Sequence, residues 1–305
     1  MFSTFKLHSK TIPFYPLFDS PLSLEFLCEG GTSFLNYSSF INDHKNQDIF
    51  RREASCLKFG DSKTVRITSF DCENGALKVG YMLSNYSIYK GFSKIKSSVV
   101  PDEGFNEGKV GDRCLSNHCG TGLFIECRRG GSHNPEERVL IGMRPNSEVI
   151  DTHRLFRTYS ASGSVDFADA NPFETIRRET IEELNYNLDL GNTELLSFGY
   201  DSQLGYFQFS FFHQSSLDFE ELINLASQAR DSFEYISLDA ITYSESKLEK
   251  AIEEIAKLPW EPSALYTLVL LYARVVPPQK SMWFRKELEN KIIEYNNDKN
   301  FKIFN

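Results

Sequence analysis

An alternation of polar and apolar side chains predicts one β-hairpin in the N-terminal part of the chain. Residues 64–71 and 76–82 each alternate with a period of two, and the dipeptide Asn74-Gly75 lies between them. An Asn-Gly dipeptide between two such segments strongly indicates a hairpin, because both residues accept the backbone conformation of a tight turn. Residues 1–60 are rich in aromatic side chains but weakly periodic, so they predict no defined element.

The rest of the chain mixes short apolar segments typical of strands with longer segments of helical period. Predicted strands lie at 122–127, 138–144, 155–160, 194–200, 206–213 and 233–238. Predicted helices lie at 172–184, 219–229, 244–257, 262–275 and 282–297. Strands and helices seldom alternate regularly, which predicts an α+β sandwich and disfavours a Rossmann sheet or a TIM barrel. Neither GxGxxG nor GxxxxGK[ST] is present, so two common nucleotide-binding motifs are missing.

A polar stretch with three glycines, residues 101–111, separates these two parts of the chain. Such a composition is typical of a linker or a long loop. We therefore expect a smaller β-containing N-terminal domain at 1–108, a central domain at 109–280 and a helical C-terminal extension at 281–305. The apolar face of the hairpin needs a partner, so the N-terminal domain should pack on the central domain and help to form a pocket or a dimer interface.

The segment with the clearest helical pattern is 172–184. Apolar side chains recur along one face, and Asn171-Pro172 provides an N-cap residue followed by proline at the first helical position. The spacing of Glu179, Glu182 and Glu183 places three carboxylates on one side, largely away from that apolar face. Three neighbouring carboxylates attract a divalent cation, and Mg²⁺ prefers such hard oxygen ligands together with water and substrate phosphates.

The alternative interpretation is an acidic helix that is merely solvated. The chain contains such a helix at 249–254, where lysine lies at helical spacing from glutamate, and we interpret that helix as surface. The helix at 172–184 differs in what precedes it, because the turn-rich segment 160–170 leads into it from a predicted strand. A loop there can bring backbone carbonyls and room for a phosphate to the carboxylates.

Residues 164–186, SVDFADANPFETIRRETIEELNY, resemble the Nudix box, Gx5Ex7REUxEExGU, in which U is a bulky aliphatic residue. The REx2EE kernel of the box matches in full at Arg178, Glu179, Glu182 and Glu183. A motif of this kind is a hypothesis that its structural context must support, and a strand, a loop and a helix are expected here in that order.

The remaining box positions depart from the pattern. The first glycine falls on Ser164, which follows Gly163, and the first glutamate falls on Ala170, which follows Asp169. The final glycine falls on Asn185. Asparagine readily adopts the left-handed conformation that ends a helix, so this last departure is mild. Ala170 is the serious departure, because it removes a carboxylate.

The resemblance covers about residues 115–276 and implies a Nudix-type α/β/α sandwich with a mixed β-sheet. It implies hydrolysis of a nucleoside diphosphate linked to another group, X, with Mg²⁺ or Mn²⁺ as cofactor. Glu179, Glu182 and Glu183 are then the expected metal ligands, and Gly163 offers a backbone carbonyl.

The same resemblance assigns catalytic roles to Glu183, Glu182 and Arg178. Glu182 is expected as a third ligand or as the general base, and Arg178 orients the glutamates through charge-assisted hydrogen bonds. We expect Arg144 and Ser164 to bind the substrate. Arg144 ends a predicted strand and is the candidate phosphate clamp, with an ordinary surface arginine as the alternative.

The charge composition of the chain limits the classes of partner that it can bind. Its 305 residues include 33 Lys and Arg against 42 Asp and Glu, a net charge of −9. A field of that sign repels polymeric nucleic acid and anionic membranes, so we expect a small nucleotide substrate and neither of those partners. The N-terminus lacks the pattern of a signal peptide, and six sparse cysteines without a CxxC pair suggest reduced thiols. Both features predict a cytoplasmic protein.

Three functions stay open at this point. The first is hydrolysis of an NDP-X compound, for which a nucleotide sugar is one candidate. The second is a nucleoside triphosphate pyrophosphohydrolase that releases pyrophosphate. The third is a Nudix-like binding or sensor module without catalysis, which Ala170 keeps open. The sequence specifies neither the base nor the X group.

Overall fold

The computed structural model of the protein describes residues 6–7, 10–12, 14–29, 44–57, 60–95, 116–129, 138–146, 156–169, 171–201 and 205–297. The strands are β1 (Lys6–Leu7), β2 (Lys10–Thr11), β3 (Phe14–Asp19), β4 (Ser23–Cys28), β5 (Lys63–Glu73), β6 (Ala76–Asn85), β7 (His118–Arg128), β8 (Arg138–Pro145), β9 (Ala161–Ser164), β10 (Thr193–Asp201), β11 (Tyr206–Asp218) and β12 (Tyr235–Thr242). The helices are α1 (His44–Cys56), α2 (Tyr86–Ile95), α3 (Pro172–Leu184), α4 (Phe219–Ala226), α5 (Leu248–Ala256), α6 (Pro262–Val275) and α7 (Pro278–Asn297).

Ten of these strands form one large mixed sheet within the described residues. Its main path is β3-β10-β11-β7-β5-β6-β4, while β8 and β9 both pair with β7, and β12 pairs with β8. The pairs β11 with β7 and β4 with β6 are parallel, and the other pairs of this sheet are antiparallel. A mixed sheet with helices packed on it confirms the predicted α+β class.

Strand β7 organises the centre of the sheet. Along one edge it pairs with β11 over nearly its whole length. Along the other edge three strands follow one another: β5 pairs at His118, β9 pairs with residues 120–123, and β8 pairs with residues 125–128. Several chain segments therefore end beside β7, and the candidate site is built around these ends.

The predicted N-terminal hairpin is confirmed. Strands β5 and β6 are antiparallel, and they are joined at Asn74 and Gly75, whose φ angles of 53° and 82° lie in the left-handed region. Both this hairpin and β3 hydrogen-bond into the same sheet as the later strands. The linker predicted at 101–111 lies outside the described residues, and the division into domains stays a prediction.

Each face of the sheet carries its own apolar core. On one face, α5, α6 and α7 cover a cluster that includes Phe124. On the other face, Ile176 and Leu184 of α3 pack in a cluster with Leu123 and Ile125. Because alternate residues of a strand point to opposite faces, even-numbered positions of β7 face α6 and odd-numbered positions face α3.

Most predicted elements are confirmed, but one strand is wrong. Residues 157 and 158 form only isolated bridges, and the strand expected at 155–160 lies instead at Ala161–Ser164. Ser160 shows why, since its hydroxyl donates to the Ile141 carbonyl and accepts from the Ile125 backbone N–H. A side chain thus replaces the backbone pairing that periodicity alone predicts.

Helix ends differ from the sequence estimates by a few residues, while α3 and α6 begin and end as predicted. Helix α6 is the most apolar of the predicted helices, and its buried residues confirm that it is a core helix. Among the described helices none combines the length and apolar character that crossing a membrane requires.

Candidate functional site

A cavity of about 380 Å³ opens beside β7, between α3 and the start of α6. The described residues that line it come from both parts of the chain: Ser62, Thr64, Tyr86, Tyr89, His118, Gly120, Thr121, Met143, Pro145, Thr158, Ser162, Gly163, Ser164, Asp166, Arg178, Glu179, Glu183, Tyr206, Gln208, Glu234 and Glu261. Four of them lie between residues 62 and 89, so the N-terminal part helps to form a pocket, as the sequence led us to expect. The predicted residues Gly163, Ser164, Arg178, Glu179 and Glu183 meet here.

Helix α3 is fixed at both ends by its own sequence. The Asn171 side chain accepts hydrogen bonds from the backbone N–H groups of Phe173 and Glu174, at 2.9 and 3.2 Å, and Pro172 follows it. At the other end Asn185 is left-handed, with a φ of 51°, and its N–H donates to the Ile181 carbonyl. Both caps confirm the sequence analysis, including asparagine in place of the last box glycine.

Glu183 is the most deeply buried carboxylate of the helix, with 3% of its surface exposed. Its Oε2 accepts a hydrogen bond of 2.9 Å from the Ser162 backbone N–H, so β9 holds it in place. Burial raises the pKa of Glu183 well above the ordinary glutamate value, and the neighbouring carboxylates of Glu179 and Glu234 raise it further. A buried carboxylate without a cation of its own is a costly arrangement.

Glu179 lies against the backbone of Gly163. A β-carbon at position 163 would overlap the Glu179 carboxylate, so a side chain there would displace it. Burial raises the pKa of Glu179, while the Arg178 guanidinium opposes this shift and Glu182 adds to it. The glycine that precedes the box position therefore has a clear physical task, which is to let the carboxylate reach the backbone of β9.

Arg178 holds the acidic cluster together. Its Nη1 donates to Glu179 at 2.8 Å and to Glu182 at 3.1 Å, and its Nη2 contacts the Ser164 carbonyl at 3.5 Å. Glu182 is bound from its other side by Arg230, at 3.0 Å. These contacts have the form expected of an orienting arginine, whose catalytic role stays a prediction.

Asp169 lies one residue before the position at which the box has a glutamate, and it binds Arg178. Its Oδ2 accepts from Arg178 Nη2 at 3.1 Å and from the Thr175 hydroxyl at 2.8 Å. Ala170 itself lies outside the described residues. A carboxylate is thus present one residue before position 170, and its equivalence to the box glutamate stays a prediction.

Glu234 is a site residue that the sequence analysis missed. It ends a short 3-10 turn, Ser232–Glu234, lines the cavity and raises the pKa values of both Glu179 and Glu183. Burial and the Asp231 carboxylate raise its own pKa. No motif marks this residue, because it lies far along the chain from the acidic helix. The single local signal is its position at the start of the predicted strand at 233–238.

Arg144 is not placed where the sequence analysis expected it. Met143 and Pro145 line the cavity, but Arg144 between them does not. Successive side chains of a strand point to opposite faces, which explains the difference. Burial lowers the pKa of Arg157, and the charge of Arg144 lowers it further; the Arg157 guanidinium binds Asp239 at 2.7 Å. Arg144 is thus not among the described residues that line this cavity, and its role as a phosphate clamp stays a prediction.

Ser164 lies where the acidic side of the cavity meets its other side. Its hydroxyl is 2.9 Å from Nε2 of His118, a residue 4% exposed. Burial lowers the pKa of His118 to about 3, so the imidazole is neutral near pH 7. The Tyr89 ring stacks on this imidazole with a centroid distance of 4.5 Å.

The residues that would hold a divalent cation fit that task in part. The described residues contain no group of three or more His, Cys, Asp or Glu side chains that is already arranged around a metal position. Glu179, Glu183 and the Gly163 carbonyl nevertheless provide hard oxygen atoms beside one another, and buried carboxylates favour a positive partner. Mg²⁺ usually keeps several water ligands and needs few from protein, so this donor set suits it.

Comparisons with known proteins establish neither a family nor a function for the chain. No family model and no curated protein matches the chain. A MutT/nudix family protein from Enterococcus faecalis matches 70% of this chain and 94% of its own, with 11% identity and a TM-score of 0.34. The Deinococcus radiodurans protein DR0079 matches 46% of this chain and 72% of its own, with 18% identity and a TM-score of 0.32. Values this low establish no shared family, so the functional proposal depends on the site residues.

Proposed function

We propose that the chain is a Nudix-type pyrophosphohydrolase. It would use Mg²⁺ or Mn²⁺ to cleave the diphosphate linkage of a nucleoside diphosphate derivative into a nucleoside monophosphate and a phosphorylated X group. The observation that carries this proposal is the pair formed by the buried Glu183 and the half-buried Glu179 at the wall of a cavity of substrate size. The REx2EE kernel on a helix that follows a strand and a loop is the context that such a motif requires.

The charges around the cavity favour a metal-bridged phosphate substrate. Arg178 is the one Lys or Arg among the described lining residues, and Asp169, Glu179 and Glu182 already bind it. Two adjacent phosphates would therefore enter a negative environment without a free cation of the protein. A divalent ion held by Glu179, Glu183 and the Gly163 carbonyl removes this conflict.

When bound, the ion would neutralise the diphosphate and lower the pKa of a water molecule. The protein's own residues position and deprotonate that water. In the balanced reaction the water oxygen bonds to one phosphorus, the bridging P–O bond breaks, and the departing phosphate oxygen retains the electron pair. Arg178 keeps the Glu179 carboxylate oriented through the contact at 2.8 Å.

Two carboxylates compete for the role of general base. Glu182 is already bound by Arg178 and Arg230, which restricts its movement. Glu234 lines the cavity, and its carboxylate accepts no hydrogen bond within the described residues. A raised pKa brings a base closer to the operating pH, where proton transfer is most effective. Glu234 is therefore the better candidate.

A product analysis tests the proposed function. The full-length protein is incubated with nucleotide sugars, ADP-ribose, dinucleoside polyphosphates, triphosphates and capped RNA in Mg²⁺ or Mn²⁺, and products are identified by mass. We expect a nucleoside monophosphate from a small diphosphate compound, and no turnover in excess chelator. Pyrophosphate released only from triphosphates would favour the second function instead. Decapping without small-molecule turnover would contradict the substrate class, and binding without turnover would indicate a sensor module.

A further inference from the structure

Ser164 places a side chain where the Nudix box has glycine. It is the last residue of β9 and lines the cavity. It directly follows Gly163, whose carbonyl is a candidate metal ligand, and its own carbonyl is 3.5 Å from Nη2 of Arg178. Ser164 is therefore part of the cavity wall, one residue from the carbonyl that would hold an ion.

The hydroxyl of Ser164 is held by a buried histidine. Its Oγ lies 2.9 Å from Nε2 of His118, and neither side chain forms another hydrogen bond within the described residues. Ser164 pairs with Gly120 across β9 and β7, and His118 lies two residues before Gly120 on the same face of β7. The strand register thus brings the two side chains together, and a glycine at position 164 would leave His118 without this partner.

The imidazole of His118 is fixed by its surroundings. The Tyr89 ring stacks on it with a centroid distance of 4.5 Å, and the Tyr86 ring meets it edge-on at 5.9 Å. Backbone pairing with β5 and β11 holds the residue on both sides. A ring packed in this way cannot adopt another rotamer without losing these contacts. Two residues of α2, in the N-terminal part of the chain, therefore help to direct Nε2 at Ser164.

Charged groups lie near this histidine, but no ion pair joins it to any of them in the described parts of the chain. Arg66 is its buried partner on β5, and the carboxylates of Asp166 and Glu261 line the same cavity. Burial lowers the pKa of His118 to about 3, so the imidazole is uncharged near pH 7. An uncharged imidazole carries one ring N–H, and the nitrogen that holds this proton decides the direction of the hydrogen bond to Ser164.

A phosphate ligand selects one of the two directions. Phosphate oxygens accept hydrogen bonds, so a serine beside them must donate its proton. It can do so when Nε2–H of His118 donates to Oγ of Ser164, because the hydroxyl proton is then free. With the proton on the other ring nitrogen, Nε2 would accept from the hydroxyl, and Oγ would present only lone pairs to an anion. Two consecutive hydrogen bonds can thus run from the imidazole through Ser164 to a phosphate oxygen.

We propose that His118 is a positioning residue, which directs the Ser164 hydroxyl to a phosphate oxygen of the substrate. The proposal rests on the function proposed above and adds to it a role for the N-terminal part of the chain. Arg178, the one Lys or Arg among the described lining residues, is already bound by carboxylates. A neutral hydroxyl that is held in place is therefore a donor that the protein can still offer to phosphate.

A double-mutant cycle tests this role. Ser164→Gly restores the glycine of the box and removes the hydroxyl, and His118→Phe keeps a ring for Tyr89 but cannot donate. With a diphosphate compound that the wild type hydrolyses, we expect either change to lower kcat/KM roughly tenfold, the effect of one hydrogen bond. The double variant should be no worse than Ser164→Gly alone, because both changes break the same connection. His118→Gln should recover part of the activity, since its amide can donate to Ser164.

His213→Phe is the matched control for the loss of a buried histidine. His213 is 2% exposed and hydrogen-bonds to the hydroxyls of Tyr186 and Thr193, at 3.0 and 3.2 Å. It does not belong to the described lining of the cavity. His213→Phe should therefore lower Tm, as His118→Phe does, and leave kcat/KM unchanged.

The outcomes separate this inference from the proposed function. Full activity of Ser164→Gly, losses that multiply in the double variant, or an equal loss in His213→Phe would each overturn the positioning role, while turnover would still support the function. If His118→Phe does not fold, His118→Asn, whose shorter amide falls short of Ser164, completes the cycle. If the wild type hydrolyses no compound, the same variants are titrated calorimetrically with the α,β-methylene analogues of ADP and UDP in Mg²⁺. The same non-additive loss of affinity would support the inference without the function, and no binding to the wild type would overturn both.

Discussion

Two acidic helices of similar sequence have opposite electrostatic properties. In α3, Glu183 is buried, receives one backbone hydrogen bond and has a raised pKa. In α5, Glu253 is 39% exposed and binds Lys291 at 2.9 Å. The Lys291 side chain and the Tyr295 hydroxyl lower the pKa of Glu253. The charged form of glutamate at the same helical spacing is thus destabilised by burial in α3 and stabilised by an ion pair in α5.

The difference teaches what distinguishes a functional acidic helix from a solvated one. Charged groups are ordinarily exposed or paired, and α5 follows that rule through Lys291 and through Lys250, which lies 3.4 Å from Glu254. Helix α3 breaks the rule at Glu183, which is buried and has no ion pair within the described residues. Groups whose pKa is strongly shifted by burial in a cleft are candidates for chemistry. Burial without a dedicated cation, rather than the number of glutamates, carries this information.

The largest expected effect separates the two helices by activity. Glu183→Gln keeps the side-chain shape but removes a ligand charge, so we expect turnover to fall by at least roughly 100-fold. Glu253→Gln is the matched control in α5 and should leave turnover unchanged. Initial rates in Mg²⁺ and Mn²⁺ measure both. Equal rates in the wild type and Glu183→Gln would show that α3 is only another acidic helix.

The next effect is a difference in the sign of the pH dependence of stability without metal. The pKa of Glu183 is raised above 4.5, so the folded protein keeps a proton that the unfolded chain releases as the pH rises. The stability that this group contributes to the wild type is therefore lost as the pH rises. The free energy of unfolding of Glu183→Gln should then increase relative to that of the wild type, by about 1.4 kcal/mol for each unit of pKa shift. Saturating Mg²⁺ should reduce this gain.

Glu253 should show the reverse behaviour. Its pKa is lowered below 4.5, so its contribution is present at neutral pH and is lost as the pH falls through the folded pKa. Glu253→Gln should therefore be the less stable protein at neutral pH, and the gap should close in acid. Urea unfolding in chelator between about pH 3 and pH 7.5 measures both pairs, since the lower limit lies below the ordinary glutamate pKa. If the free energies of unfolding of the two variants, each relative to the wild type, changed with pH in the same direction, the two helices would not differ in their electrostatics.

A smaller effect concerns Asp169, the carboxylate that lies one residue before the box position. Asp169→Asn weakens the charge-assisted contacts to Arg178, so we expect kcat to fall roughly tenfold with little change in KM. Asp169→Glu should restore part of the loss. Glu174→Gln, which alters an ion pair with Arg177 on the same helix, is the control and should have no effect. Full activity of Asp169→Asn would show that the orientation of Arg178 does not depend on the Asp169 carboxylate.

The smallest effect is the stability change in α5 itself. The Glu253 and Lys291 side chains are partly exposed, and such pairs contribute less than about 1 kcal/mol. Glu253→Gln should lower the free energy of unfolding by about 0.5 kcal/mol at low salt and by less at high salt. A larger, salt-independent loss would show that Glu253 is not a simple surface ion pair.

Local features of this protein follow from the residues of single segments. The helix 172–184 follows from its caps and its periodicity, and the hairpin at Asn74-Gly75 follows from turn chemistry. These features depend on residues close together along the chain, so a local pattern contains them. The three glutamates and the arginine of the kernel also share one helix, and their mutual spacing is fixed by its geometry.

Which side chains meet depends on how distant segments pack together. That packing brought Glu234 to the carboxylates from another part of the chain, turned Arg144 away from the cavity and set the Ser164 hydroxyl beside His118 in its wall. It also decided that α3 would be buried at Glu183 while α5 stayed exposed at Glu253. Burial and charge pairing depend on the packing of distant segments against one another. A helical period records the spacing of side chains, but not which neighbours cover them.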